Sequence, residues 1–177
     1  PFEYYKNSLK NFKVQLLNKP DNLIPIFTVE GGALIGVDLT RIETMYNDGI
    51  RALTLTWNGE NQIAGGAYSG VGLKDFGKEV IDVLNKHDIM VDLAHLNKKS
   101  YYSALEFASK PIITHTCLEV FNNHRRNVDD DQIKALVEKK GILGICFYPL
   151  FLGEGDVLEK IYKNVYHMLE LGYEAHL

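Results

Sequence analysis

Two kinds of segment alternate along the chain, distinguished by the spacing of their apolar positions. Short, nearly continuous apolar runs predict buried β-strands, and they cover residues 23–29, 50–56, 89–94, 111–114 and 141–148. Segments with apolar positions three and four residues apart predict amphipathic helices, and they cover residues 2–18, 40–47, 75–86, 97–109, 132–139 and 156–171. Strands that alternate with helices in this way predict an α/β fold built on a parallel sheet.

Two parallel α/β architectures are compatible with this pattern, the doubly wound sheet and the (β/α)8 barrel. No Gly-x-Gly-x-x-Gly follows a predicted strand, so the dinucleotide-binding form of the doubly wound sheet loses support. A barrel places its functional residues at the C-terminal ends of several strands, where Glu30, Trp57, His95 and His115 all stand. We therefore predict a TIM-barrel type fold in one domain, residues 1–177, with five of the eight strands present.

The two histidines at strand ends are the first candidate functional residues. His95 and His115 follow neighbouring predicted strands, so parallel pairing would place both imidazoles on one rim of the sheet. Such a pair indicates a metal site or an acid–base pair, and the alternative is that they are ordinary rim histidines. Glu30 is a third candidate, because two glycines that let the backbone turn follow it. Cys117 lies close to His115, but we do not expect a nucleophilic Cys–His pair.

Composition excludes several classes of function. The formal charge of −4 without clustered basic residues argues against nucleic-acid binding. No apolar run approaches the roughly 20 residues of a membrane-spanning helix. Two cysteines form neither a disulfide framework nor a zinc-binding pair, which predicts reduced thiols and a cytoplasmic protein. The first residues resemble no signal peptide and include no initiator Met, so we expect a piece of a longer polypeptide.

Several short segments resemble, in the same order, the signature of the membrane (renal) dipeptidase family of zinc metallopeptidases. The resemblance runs from about residue 24 onward, and its segments are residues 29–32, 47–51, 53–56, 91–95, 113–115 and 125–128. It implies a (β/α)8 barrel with two zinc ions, and hydrolysis of dipeptides by a metal-bound hydroxide.

The resemblance also implies roles for individual residues. Glu30 matches the catalytic-site carboxylate that bridges both metals, and His95 and His115 match the two histidines of the second zinc. Arg126 matches the arginine that binds the terminal carboxylate of the substrate. Trp57 stands where the mammalian dipeptidases have a substrate-contacting histidine, so it either forms a wall of the substrate pocket or packs at the barrel mouth. Each histidine ligand also needs a hydrogen-bond acceptor behind it, which the sequence does not identify.

The chain departs from the family pattern at the first metal. The first-strand His-x-Asp pair and a later Asp of the family have no counterpart in this sequence. Two alternatives therefore stay open: another metal-dependent amidohydrolase, or a catalytically incomplete piece with a structural or binding role. Open edges of a partial sheet invite pairing with another chain, so we also expect association, for example as a homo-oligomer.

Overall fold

The structure is a computed structural model that describes residues 26–173. Within these residues the strands are β1 (Phe27–Glu30), β2 (Ile50–Thr54), β3 (Met90–Asp92), β4 (Pro111–Thr116) and β5 (Ile142–Ile145). The helices are α1 (Thr40–Asn47), α2 (Asp75–Lys86), α3 (Lys98–Phe107), α4 (Asp130–Glu138), α5 (Pro149–Leu152) and α6 (Val157–Glu170). A short 3-10 helix, Gly32–Ile35, follows β1.

The five strands form one sheet in the order β1-β2-β3-β4-β5, and every neighbouring pair is parallel. Each connection therefore adds the next strand on the same side of the sheet. A doubly wound sheet reverses its direction at a switch point, and no reversal occurs between β1 and β5. This sequential order is that of a barrel wall, and the predicted parallel α/β sheet is confirmed.

The two faces of the sheet have different neighbours. Leu53 and Val91 are buried in one core together with the apolar faces of the helices. Successive residues of a strand point to opposite faces, so the adjacent positions point away from this core. The register aligns Glu30 with Thr54, and Thr54 with Asp92, in one row across β1, β2 and β3. The second face therefore carries a row of polar side chains that leads to the C-terminal rim.

Most predicted elements recur with small shifts of their ends. Helices 40–47 and 75–86 have the predicted bounds, and the predicted strand 111–114 continues to Thr116. The predicted strand 141–148 was too long, because β5 ends at Ile145 and Pro149 begins helix α5. Proline suits the first turn of a helix, because the backbone N–H groups of that turn have no acceptor within the helix. The predicted helix 2–18 and the first residues of the predicted strand 23–29 lie outside the described residues.

None of the helices between residues 26 and 173 has both the length and the apolar character that crossing a bilayer requires.

The glycine-rich segment 59–72 is a packed loop against the C-terminal rim. Its Ile63 and Ala64 are fully buried, and the Asn61 side chain accepts hydrogen bonds from the backbone amides of both. The Asn97 side chain donates to three carbonyl groups of the loop, including that of Gly66. The loop is thereby held beside the end of β3, where His95 lies.

Candidate metal centre

Glu30 ends β1, and the two glycines after it explain how the chain leaves the strand. Gly31 has φ 96°, in the left-handed region that favours glycine. A Cβ on Gly32 would lie 2.7 Å from the carbonyl oxygen of Leu55, so only glycine fits this close approach between neighbouring segments. The turn leaves the half-exposed Glu30 carboxylate at the C-terminal rim of the sheet.

His95 lies three residues beyond the end of β3 in an unusual backbone conformation. Its φ of 70° is in the left-handed region, which non-glycine residues adopt at a cost and which clusters at functional sites. Its carbonyl oxygen accepts a hydrogen bond of 2.7 Å from Ala67, and its ring Nδ1 lies 2.8 Å from Asn58 Oδ1. The ring is also stacked against Trp57, with centroids 5.9 Å apart. These contacts hold the buried imidazole in one orientation.

His115 belongs to β4, and its ring is fixed from both sides. Its Nδ1 lies 2.9 Å from the hydroxyl oxygen of Thr114, and that hydroxyl donates to Asp92 Oδ2 at 2.7 Å. On the other side, Arg126 Nη2 donates to His115 Nε2 at 3.1 Å. The ring proton therefore lies on Nδ1, and Nε2 presents a lone pair.

The two imidazoles and the carboxylate converge on one point. His95 Nε2 lies 2.7 Å from Glu30 Oε1 and 3.0 Å from His115 Nε2, and the remaining separation, from His115 Nε2 to Glu30 Oε1, is 3.5 Å. Ligands of a tetrahedral zinc with bonds of about 2.0–2.1 Å lie roughly 3.3 Å apart. Within residues 26–173, these three form the one group of such side chains close enough to share a metal ion.

The electrostatic surroundings of this cluster keep His95 neutral. Burial and the charge of Arg126 lower the pKa of His95 to about 4, although the neighbouring Glu30 carboxylate opposes this shift. With its Nδ1 facing the Asn58 oxygen, the neutral His95 ring also presents a lone pair at Nε2. Two nitrogen lone pairs and a carboxylate oxygen thus face one another. Imidazole and carboxylate are donors that zinc accepts, so this set fits a divalent metal.

Arg126 is buried beside the cluster, with 4% of its surface exposed. Its guanidinium lies over the Phe151 ring at 5.3 Å, and its Nε has no hydrogen-bond partner among residues 26–173. Burial lowers the pKa of this guanidinium, and the negative charges of Asp92 and Glu30 are among those that oppose the shift. A buried N–H without an acceptor is costly, so an acceptor from outside the chain that reached this atom would relieve that cost.

A cavity of about 280 Å³ adjoins these groups. It lies between the β3–α3 and β4–α4 connections and is lined mainly by residues 93–98 and 123–128. His95 and Arg126 both line it, so a small molecule bound there would touch the His95 ring and the Arg126 guanidinium together.

Trp57 and Cys117 were the other two residues that the sequence singled out near the rim. Trp57 is 61% exposed, and its ring stacks on that of His95 at the C-terminal rim of the sheet. Cys117 is buried, donates its thiol hydrogen to the carbonyl of Cys146, and has its pKa raised by burial to about 12. A thiol with this pKa is not a nucleophile at neutral pH, as expected.

The structure adds residues that sequence reasoning missed. Asn58 and Thr114 are the acceptors behind the two histidines, and Asp92 lies behind Thr114. Asp92 had a visible signal, because it is the one charged residue inside the apolar run 89–94. Asn58 had none, because it follows Trp57 at the start of an irregular loop.

Carboxylate and imidazole donors at the C-terminal ends of sequential parallel strands are the arrangement of a barrel-type metalloenzyme. The chain matches the family model of membrane dipeptidases, peptidase family M19, over residues 9–175. It belongs to that family, as the ordered segments of its sequence predict.

Two curated relatives come from Schizosaccharomyces pombe, and both are described as uncharacterised dipeptidases. One is 32% identical over 160 residues, which are 84% of this chain and 38% of the relative. The other is 26% identical over 148 residues, which are 79% of this chain and 36% of the relative. The chain therefore spans well under half the length of these proteins.

Solved structures show the same fold over four-fifths of the chain. A dipeptidase of metallopeptidase family M19 is similar with a TM-score of 0.77 at 25% identity, over 82% of this chain and 47% of that one. A Rhodobacter sphaeroides metallopeptidase, liganded with a phosphinate mimic of the dipeptide L-Ala-D-Ala, gives 0.76 at 24% identity over 82% and 46%. A Pseudomonas aeruginosa amidohydrolase gives 0.79 at 21% identity, again over 82% and 46%. The predicted fold, part of a TIM-type barrel, is confirmed.

Proposed function

We propose that Glu30, His95 and His115 bind a divalent metal, in the first place zinc, and that the polypeptide containing this chain is a metallo-dipeptidase. The observation that carries the proposal is the convergence of one carboxylate oxygen and two imidazole nitrogens within 3.5 Å of one another. Membership of the dipeptidase family supports the reaction class. Glu30 is the catalytic-site ligand with a second oxygen free for a further metal ion.

A bound metal would activate the reacting groups, whereas the side chains of this chain would bind the substrate. A bound divalent ion would lower the pKa of a water molecule and polarise the scissile carbonyl group. Arg126 binds the terminal carboxylate of the dipeptide, since a guanidinium offers a fork of N–H donors that matches a carboxylate. Its buried, unpartnered Nε supports this assignment.

The substrate proposed for this site is a dipeptide with a free carboxylate. The Rhodobacter metallopeptidase, which is similar in fold, is liganded with a dipeptide mimic, and the cavity of about 280 Å³ beside Arg126 suits a molecule of that size. Trp57 forms a wall of the pocket for one of the two side chains, because it is exposed and stands against His95.

The test combines metal analysis with an assay of the full-length polypeptide. We expect zinc to bind the wild-type protein, and His95→Ala and His115→Ala each to reduce both zinc content and dipeptide hydrolysis severely. His87→Ala is the matched control, since His87 ends helix α2 away from the cluster. Wild-type protein without zinc, or unchanged activity in both histidine variants, would refute the proposal.

A panel of substrates separates a dipeptidase from another metal-dependent amidohydrolase. Dipeptides, their C-terminal amides and cyclic amides are assayed as substrates of the full-length protein and of its Arg126→Lys variant. A dipeptidase loses rate with Arg126→Lys only for substrates that carry a free carboxylate. An equal loss for every substrate would favour the other amidohydrolase. The same panel applied to the 177-residue chain alone measures whether this part has any turnover by itself.

A further inference from the structure

Asp92 is a buried charge that neither metal binding nor substrate binding explains. It is 1% exposed and lies three positions before His95, the residue with the positive φ. Its Oδ1 accepts hydrogen bonds from the backbone amides of Ala94 and Thr114, at 3.1 and 3.0 Å. Its Oδ2 accepts from the hydroxyls of Thr54 and Thr114, at 2.5 and 2.7 Å. All four donors point at the carboxylate, so it acts purely as an acceptor.

Because it donates to Asp92, the Thr114 hydroxyl can act only as an acceptor toward His115. A threonine hydroxyl has a single hydrogen, and that of Thr114 is used in the bond to Asp92. Toward the His115 Nδ1, 2.9 Å away, the hydroxyl oxygen can therefore only accept. The imidazole proton must then be on Nδ1. The Arg126 donor at Nε2 independently requires the same tautomer.

We propose that Asp92, acting through the Thr114 hydroxyl, is a positioning residue that holds His115 in the tautomer whose Nε2 lone pair faces Glu30 and His95. We call this chain of hydrogen bonds, Asp92 to Thr114 to His115, the relay. It rests on the proposed metal site for its purpose, because a histidine ligand must present an unprotonated nitrogen. It does not rest on that site for its existence, since the hydrogen bonds are formed by this chain alone.

The two histidines differ in how their tautomers are set. His95 faces the neutral amide oxygen of Asn58 at 2.8 Å. His115 faces a hydroxyl that is polarised by a buried negative charge, and such a partner raises the basicity of the ligand nitrogen. The relay thus acts on one histidine, which leaves the other as an internal reference within the same molecule.

The first experiment reads the tautomer directly in the metal-free, 177-residue chain. Side-chain 15N NMR on histidine-labelled protein at neutral pH distinguishes a proton on Nδ1 from one on Nε2. We expect His115 in the Nδ1-protonated form. A wild-type His115 with its proton on Nε2 overturns the proposal without any variant.

The second experiment removes the Thr114 hydroxyl, which links Asp92 to His115, and keeps a side chain of the same shape. Thr114→Val deletes the hydroxyl, so we expect the Nδ1-protonated population of His115 to fall while His95 stays unchanged. Zinc affinity should fall by about 10- to 100-fold, as for other changes behind a metal ligand, and Thr114→Ser should restore both readouts. Thr54→Val is the matched control, because it removes the other hydroxyl from the same Asp92 oxygen and leaves the relay intact. Equal effects of Thr54→Val and Thr114→Val would reduce Asp92 to a structural role and overturn the proposal.

The third experiment replaces Asp92 so that the hydrogen bonds of the relay reverse their direction. In Asp92→Asn the side-chain oxygen stays with the two backbone amides, so the new NH2 group faces the hydroxyls. The Thr114 hydroxyl then accepts from Asn and turns its hydrogen to His115 Nδ1, which favours the ring proton on Nε2, against the Arg126 donor. Replacement of a carboxylate by an amide behind a histidine is known to produce this wrong tautomer. An Asp92→Asn protein that folds and keeps the Nδ1 proton would show that the Arg126 donor alone sets the tautomer, and this result contradicts the relay.

These readouts separate the relay from the proposed dipeptidase. If the tautomer responds to Thr114→Val and Asp92→Asn as expected but wild-type protein binds no zinc, the relay stands and the proposed function fails. If zinc binds with the same affinity in wild type and Thr114→Val, and the tautomer does not move, the relay fails and the metal site stands.

Discussion

The Nε2 atoms of His95 and His115 lie 3.0 Å apart, and each ring has an oxygen atom behind its Nδ1. Two nitrogen lone pairs at this distance repel each other unless a proton or a cation lies between them. Glu30 Oε1, 2.7 Å from His95 Nε2, adds a third acceptor at the same point. A cation that binds here therefore stabilises the folded chain more than the unfolded one.

Zinc should raise the stability of the wild-type chain and not that of Glu30→Gln. A ligand at one hundred times its dissociation constant adds about 2.7 kcal/mol to the free energy of unfolding, and a chelator should reverse the gain. Glu30→Gln removes the charge that attracts the ion, so its melting temperature should respond little to zinc. Glu43→Gln, an exposed carboxylate of α1, is the control and should respond like wild type. A zinc shift of the same size in Glu30→Gln would exclude Glu30 as a ligand.

Arg126→Lys should weaken substrate binding in the full-length protein. Hydrogen bonds to charged groups contribute about 1.5–3 kcal/mol, and lysine keeps the charge but lacks the paired N–H donors. We expect KM for dipeptides to rise by about 10- to 100-fold, with kcat less affected. Arg41→Lys is the control, because Arg41 is an exposed arginine of α1 that lies near Asp38 and does not line the cavity. Equal changes in KM for both variants would contradict the assignment of the carboxylate to Arg126.

Sequence periodicity predicted the five strands and five of the six α-helices of residues 26–173, because burial on one face dictates which positions are apolar. The rim positions of Glu30, His95 and His115 followed from the same argument, since parallel strands end together. The conformation of His95 could not be predicted, because its left-handed φ depends on contacts with Ala67 and Asn58 from the loop 59–72.

The acceptors behind the histidines illustrate the same limit. Thr114 is a common strand residue, and its role depends on the register that places Asp92 beside it. Such partners are set by pairing between strands, which a single sequence does not specify. Arg126 was found through family resemblance alone, and its burial next to His115 required the tertiary structure.

Trp57→Ala should change substrate preference with little effect on stability. The side chain is largely exposed, and an aromatic pair such as its stack on His95 contributes about 0.5–1.5 kcal/mol. If Trp57 forms a pocket wall, kcat/KM should fall more for dipeptides with bulky side chains than for small ones. Tyr102→Ala, an exposed aromatic residue of α3, should leave this ratio unchanged. A uniform loss across the substrate panel would assign Trp57 to packing at the mouth.

Gly66→Ala should destabilise the chain by distorting the loop that supports the site. A Cβ on Gly66 would lie 2.1 Å from the Trp57 carbonyl oxygen and 2.5 Å from that of Gly59, both backbone atoms that cannot move alone. Overpacking of this kind costs about 1–3 kcal/mol, measurable by urea unfolding. Gly59→Ala in the same loop is the control: nothing lies within 4 Å of its Cβ position. Similar urea midpoints for Gly66→Ala and Gly59→Ala would show that the loop accommodates the added methyl group without loss of stability, which contradicts the prediction.

The 177-residue chain should self-associate through helix α6. Its outer face carries apolar side chains at helical spacing, and these are Leu158, Tyr162, Val165, Tyr166 and Leu169. Leu158 is 76% exposed, whereas Asn164 and Met168 on the opposite face are buried. An apolar stripe of this length on a surface helix favours contact with another apolar surface, and β5 beside it has no partner strand on its outer side among residues 26–173. The mass by light scattering should therefore rise with concentration.

The double variant Leu158→Glu with Tyr162→Glu tests this contact, because two charges on the stripe repel a second copy and stay solvated in the monomer. We expect it to be monomeric over the concentrations at which wild type associates. Val37→Glu is the control, since Val37 is an exposed apolar residue in the connection before α1. A wild-type chain that is monomeric at every concentration would contradict the prediction. Association that survives the double variant would instead assign the contact to the open edges of the sheet, where strands rather than helix side chains pair.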